Sequence, residues 1–324
     1  MLMSYNREIS NDAPGLYTRS DMYFNARDIG TILSSDYLFL GIDKFKVFWV
    51  PSAFNQSHDL WNNATLDMVD GATRRNARLD VGFGEATLRF SSGNPNTASV
   101  EFNPSAILNP GRNLATLAET CSALGEVLRS AREFVSLPPK ITDYGLSRID
   151  LTVDFEPVSD MQYLLKLASQ SRAFRNTTPN IRPSHVTEEI ESVSFNTRSS
   201  GSVLFYDKSA ERSENGRRFR VEVSLERVNL RRIEQLNLTT LSEDILRAAF
   251  RKRLTNFIDA CLQVKSSRVA EILQKGEYTK TLVTAAGYEY LKQHGHHPKK
   301  TKHWFTKYSK FKELFPHVTI GDLL

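Results

Sequence analysis

The chain has 324 residues, 40% of them hydrophobic and 24% charged, an ordinary globular mix long enough for one large domain or two smaller ones. No apolar run approaches the length of a membrane span, and the polar start MLMSYNREISNDAPG has no apolar signal core. The formal charge of +5 leans towards an anionic partner. The two cysteines, Cys121 and Cys261, each fall in a helical pattern beside apolar residues, and read as small core residues in a reducing compartment rather than a disulfide.

Residues 1–35 are polar and poorly periodic. A strand is predicted over Phe45–Val50, ending at Pro51, and the stretch from His58 to Gly71 with Arg74-Arg75 reads as turn-rich. Ala86–Phe90 and Ala98–Asn103 read as two more strands around the turn Ser91–Pro95, which suggests an antiparallel meander. Asn113 then caps a long helix whose stripe is Leu114, Leu117, Ala118, Cys121, Leu124 and Leu128, stopped by Pro138-Pro139. The strand Ser147–Phe155 follows. It points Ile149, Leu151, Val153 and Phe155 to one face and Arg148, Asp150, Thr152 and Asp154 to the other.

Ser159 is expected to cap a further helix, with Tyr163, Leu164, Leu167 and Ala168 on its packing face, and residues 171–190 read as an exposed loop. Three short strands come next, around Val193 and Phe195, over Ser202–Lys208 and over Arg217–Glu226. The turns lie at Arg198–Gly201 and Glu214–Gly216. Beyond residue 236 the pattern is helical only, with Ser242 capping Glu243–Leu262. The expected fold is α+β: a central, largely antiparallel sheet backed by helices over residues 1–236, then a smaller helical C-terminal domain, 237–324.

The unusual feature is a load of acids on the polar faces of several strands. Glu101, Asp150 or Asp154, and Glu222 are candidate oxygen ligands for a hard cation. Asp150 and Asp154 are roughly 13 Å apart along one strand, too far to share a Mg2+ whose ligands sit at about 2.1 Å. A site built across strands, which lie about 4.8 Å apart, is the better arrangement. The plain alternative is a polar sheet face in water. Tyr206 is the candidate nucleophile. Lys208 follows at i+2 on the same face, roughly 6.6 Å along the strand, where a cation would favour a phenolate. A strand tyrosine is otherwise a core residue with its hydroxyl at the rim.

The order of Ser-Val-Glu-Phe-Asn-Pro-Ser-Ala-Ile-Leu (99–108), a long helix, Ser-Arg-Ile-Asp (147–150), Leu-Phe-Tyr-Asp-Lys (204–208) and Phe-Arg-Val-Glu-Val (219–223) resembles filamentous-phage replication initiators of the gene II type. It is also similar to the wider group of rolling-circle plasmid initiators, over roughly residues 85–235. The resemblance implies an endonuclease that nicks the plus-strand origin of double-stranded replicative DNA. A tyrosine becomes joined to the 5′ phosphate and a 3′ hydroxyl is freed. By position it makes Tyr206 the nucleophile, Glu101, Asp150 and Glu222 the ligands of a divalent metal (Mg2+ or Mn2+), and Lys208 and Arg220 the groups that stabilise phosphate.

It further implies origin duplex and single-stranded DNA as ligands, host helicase and polymerase as partners, possible self-association and a bacterial cytoplasm. One departure is that His294-Gly295-His296-His297 sits in the wrong domain to be the paired-histidine metal site of many rolling-circle nucleases. The cationic tail adds a DNA expectation: Lys299, Lys300, Lys302, Lys307, Lys310 and Lys312 are interleaved with Trp304, Phe305, Tyr308 and Phe311, without an acid. Two rival functions share these residues. One is a non-catalytic origin-binding or regulatory protein of the same fold, and the other a metal nuclease that uses water.

Overall fold

A computed structural model describes residues 14–263, except 20–22, 55–64, 70–71, 94, 110–113, 172, 174–176, 185–188, 198–200, 210–217, 227–229 and 231–237. The lysine-rich tail and the histidine cluster therefore lie outside the described residues, as does the Glu214–Gly216 turn. The expected fold class is the observed one: α+β, with one large sheet that is antiparallel at every pairing but one.

Ten strands run in the spatial order β3 (Thr65–Val69), β4 (Ala72–Val81), β5 (Gly84–Ser91), β6 (Thr97–Phe102), β2 (Gly41–Trp49), β7 (Gly145–Glu156), β11 (Phe219–Glu226), β10 (Gly201–Asp207), β9 (Ile190–Thr197) and β8 (Asn180–Pro183). β1 (Leu16–Thr18) lies parallel to the far end of β7, opposite Asp154–Glu156. The three strands read first in the sequence are indeed neighbours, as β5, β6 and β2, but β2 adds on the far side of β6 rather than beside β5.

Period-two alternation sends one set of side chains to a single apolar face: Phe45, Val47, Val100, Phe102, Ile149, Val153, Val221, Val223, Val203 and Phe205 are all fully buried. Helices cover this face. α1 (Ala26–Ser34) is closed by a capping box between Asn25 and Asp28. α3 (Leu117–Ala131) backs β4 and β2, and α4 (Met161–Gln170) backs β9 and β10. The short α2 (Pro104–Leu108) follows β6, with Asn103 as its cap. α5 (Glu243–Gln263) packs on α1 and presses Phe257 against Phe205, with ring centroids 4.6 Å apart. Among the described residues no helix is long and apolar enough to cross a membrane.

Several local expectations shift. The long helix starts at Leu117, because Thr116 and Glu119 form the capping box; Leu114 and Ala115 instead lie against β2 at Ile42. That start turns the buried stripe to Thr120, Ala123, Leu124, Val127 and Ala131, leaving Cys121 exposed rather than in the core, while Cys261 is buried as expected. α4 is capped by Asp160, not Ser159. α5 lies beyond the expected boundary at 236, and its Phe250, Leu254, Phe257 and Cys261 belong to the same core as β10 and β11. β10 opens at Gly201 with φ +100°, where a Cβ would meet the Ser224 carbonyl oxygen at 1.9 Å, so only glycine lets the strand start that close to β11.

Candidate active site on the polar sheet face

Because residues directly opposite in an antiparallel pair share a face, the pairing register lays out the polar side as rows. Glu101, Lys46, Arg148 and Glu226 form one row across β6, β2, β7 and β11. Lys44, Asp150 and Ser224 form the next. Thr152 faces Glu222, and then Asp154, Arg220 and Tyr206 line up across β7, β11 and β10.

The last row holds the most buried ion pair in the site. Arg220 donates through Nε to Asp154 Oδ1 at 2.5 Å and through Nη2 to Oδ2 at 2.6 Å, and both side chains are almost wholly buried. Its third nitrogen, Nη1, donates to the Tyr206 hydroxyl at 3.4 Å. Burial works against the Arg220 charge, but the hydrogen bonds and charge of Asp154 outweigh it and hold the guanidinium above its ordinary pKa. Tyr206 itself is half-buried, and Lys208 Nζ lies 5.6 Å from its ring centroid, so the expected Tyr206–Lys208 neighbourhood is present.

Over the next two rows, three carboxyl groups approach one another: Asp43, Asp150 and Glu222. Burial, then the charges of Asp150 and Asp43, push Glu222 up to about 7. Burial also raises Asp43, an effect that Arg220 opposes and Asp150 reinforces. Asp150 is paired with Arg148, which donates to both its oxygens at 2.8 and 2.7 Å, and accepts from the Ser224 hydroxyl at 2.5 Å. Opposite Glu222, the Thr152 hydroxyl is fully buried and has no hydrogen-bond partner among the described residues.

Asp43 was not legible as a site residue. It sits where the pairing of β2 with β7 slips between Ile42 and Lys44. Such a bulge adds a residue and re-aims a side chain, and an isolated aspartate before a strand gives no periodic signal. Its Oδ1 accepts from the Asn103 amide at 3.1 Å, which ties the bulge to the α2 cap.

The expected metal set does not assemble as a trio. Glu101 lies in the row of Lys46 and Arg148, two strands from Asp150 and one row away, which is roughly 12 Å between backbones. It is held by Lys46 at 3.2 Å and Arg89 at 3.8 Å. Burial would raise its carboxyl, but those two cations and Arg148 bring it below the usual value. Among the described residues no three His, Cys, Asp or Glu side chains converge on one ion position. What the site offers a hard cation is an oxygen-only set, Asp43 and Glu222 beside the unpartnered Thr152 hydroxyl. Mg2+ is commonly held by one or two carboxylates, with the remaining positions filled by water and substrate phosphate. That chemistry fits the residues present.

No family model matches the chain, and no curated protein does. A solved rolling-circle replication initiator protein from Geobacillus stearothermophilus is similar at 13% identity, over 60% of this chain and 77% of that one, with a TM-score of 0.29. An overlap of that size assigns no residue roles.

Proposed function

We propose that the chain is a rolling-circle DNA replication initiator that nicks its origin by tyrosine transesterification. The observation that carries the reading is the Tyr206 hydroxyl, held by a buried arginine one row from an acidic cluster on the same sheet face. In the reaction, the Tyr206 oxygen gives up its proton to solvent water and forms a bond to the phosphorus. The bond from phosphorus to the 3′ oxygen breaks, and that oxygen takes up a proton from water and leaves as the 3′ hydroxyl that a polymerase extends. The tyrosine stays joined to the 5′ phosphate, so the ester is conserved for later rejoining.

Arg220 aims the attacking oxygen and opposes its developing negative charge. Lys208, beside the ring and half-exposed, is placed to meet the incoming phosphate. Asp43 and Glu222 would hold a divalent cation, which when bound would neutralise charge on the phosphoryl oxygens. Asp150 holds Arg148 beside it on β7, and both bond to Ser224 on β11. The basic tail would add sequence-independent contacts to duplex or single-stranded phosphates.

The test is a covalent adduct. Incubating the chain with supercoiled plasmid carrying its own replicon and a divalent cation should yield protein–DNA complexes that survive denaturation, and Tyr206→Phe should yield none. Nicking without an adduct would favour water as the nucleophile, and neither nick nor adduct would favour a binding protein.

A further inference from the structure

We propose that Asp154 is the positioning residue of the nucleophile: it clamps Arg220 so that the free arm of the guanidinium is presented to Tyr206. The inference rests on the tyrosine reading above and adds a residue that lies outside the metal set the resemblance implies.

The geometry leaves Arg220 little other employment. Its Nε–Nη2 edge is spent on both oxygens of Asp154, and with the pair 2% and 1% exposed it is shut away from a phosphodiester arriving from solvent. Only Nη1 remains, and it reaches the Tyr206 hydroxyl. Arg220 therefore serves the attacking oxygen rather than the phosphate.

The pair is a costly way to hold strands together, because a buried ion pair is often no better than apolar residues of similar volume. Its placement is nevertheless tightly determined. Asp154, Arg220 and Tyr206 are in register on three adjacent strands. The backbone of Asp154 is pinned from the other side, its N–H donating to the Gly15 carbonyl at 2.6 Å where β1 joins β7. Gly15 takes a φ of +72°, and a Cβ there would strike Gly41 and Thr152 backbone atoms at 2.8 Å. The chain is thus brought against β7 at the point where the carboxylate must not move. A planar guanidinium fixed along one edge has no freedom left at its third nitrogen, which aims that donor at the phenol oxygen.

Two variants separate positioning from plain structure. Replacing the pair together, Asp154→Leu with Arg220→Met, removes the arm without leaving a buried charge. Arg220→Lys keeps an ion pair to Asp154 but has no second arm. For both, kcat for nicking the replicon plasmid should fall on the order of 100-fold, the size of losing one preorganised donor, with KM and the thermal midpoint close to wild type. A merely structural pair predicts the reverse: Lys would restore nicking, and the apolar pair would nick normally.

Wild-type kcat in either folded variant overturns the proposal, and if the apolar pair does not fold, Arg220→Lys decides alone. Tyr206→Phe run in parallel keeps the two readings apart. If it nicks, the tyrosine mechanism itself fails; if it is inactive while the Asp154 and Arg220 variants are normal, only the positioning role fails.

Discussion

Two clusters of charge share one face of the sheet and behave differently. On the β6–β2 side, Glu101 sits among Lys46, Arg89 and Arg148, with its side chain 22% exposed and that of Arg89 46% exposed. On the β7–β11–β10 side, Asp154 and Arg220 are sealed from water and touch a tyrosine. The first is a compensated surface network, where solvent screening leaves little energy in any one contact. The second is a fixed polar device in a low-dielectric setting, where every partner matters. In the sequence the two look alike, each being acids and bases alternating with apolar residues. Burial distinguishes them, and burial follows from which strands become central.

The contrast is broken most sharply by unpairing each cluster. Arg220→Ala leaves Asp154 as an uncompensated buried charge and should cost about 3–5 kcal/mol of stability, while Glu101→Gln should cost less than about 1 kcal/mol. Chemical denaturation of the two variants checks this, and equal losses would erase the distinction. Activity should divide the same way: Glu101→Gln is expected to nick at close to the wild-type rate with the divalent cation present, because Glu101 lies in another row from the acid cluster. A steep loss rescued by Mn2+ would return it to the metal set.

A smaller effect comes from Glu222. Its carboxyl ionises near 4.5 when unfolded and at about 7 in the fold. Below the lower value both states are protonated and nothing is lost. Between the two the unfolded state releases its proton first, so stability declines as pH rises, by at most about 3 kcal/mol once past 7. In chelator, Glu222→Gln should therefore raise the thermal midpoint at pH 8 and leave it nearly unchanged at pH 4.5. Added Mg2+ should stabilise wild type at pH 8 more than the variant. A midpoint difference independent of pH would mean that the carboxyl is not strained by its neighbours.

Much of this architecture is legible from alternation. Ile149, Leu151, Val153 and Phe155 on β7, and Phe219, Val221, Val223 and Leu225 on β11, point inward as period two requires, because both strands are long and flanked by turns. The polar strand β4 was masked by Arg74, Arg75 and Arg78, although Ala77, Leu79 and Val81 alternate beneath them. α1 was overlooked in a polar opening, although the Asn25–Asp28 capping box and the stripe Ala26, Ile29 and Leu33 both mark it.

The site was half legible. Tyr206, Lys208, Arg220 and Glu222 do gather, since Tyr206 lies on β10 with Lys208 just past its end, and Arg220 and Glu222 lie on the paired strand β11. Spacing along a single strand rightly set Asp154 apart from Asp150, but it could not show that Asp154 faces Arg220, because partners across strands depend on register. The same ignorance of register put Glu101 with acids it does not meet.

The central claim is that Tyr206 becomes covalently joined to DNA. The direct measurement is to trap the adduct on replicon DNA, digest it and identify the modified residue by mass spectrometry. A 5′-nucleotidyl phosphate on Tyr206, absent from Tyr206→Phe, is the predicted result. Nicking with no modified tyrosine, or with the nucleotide on another residue, would contradict it.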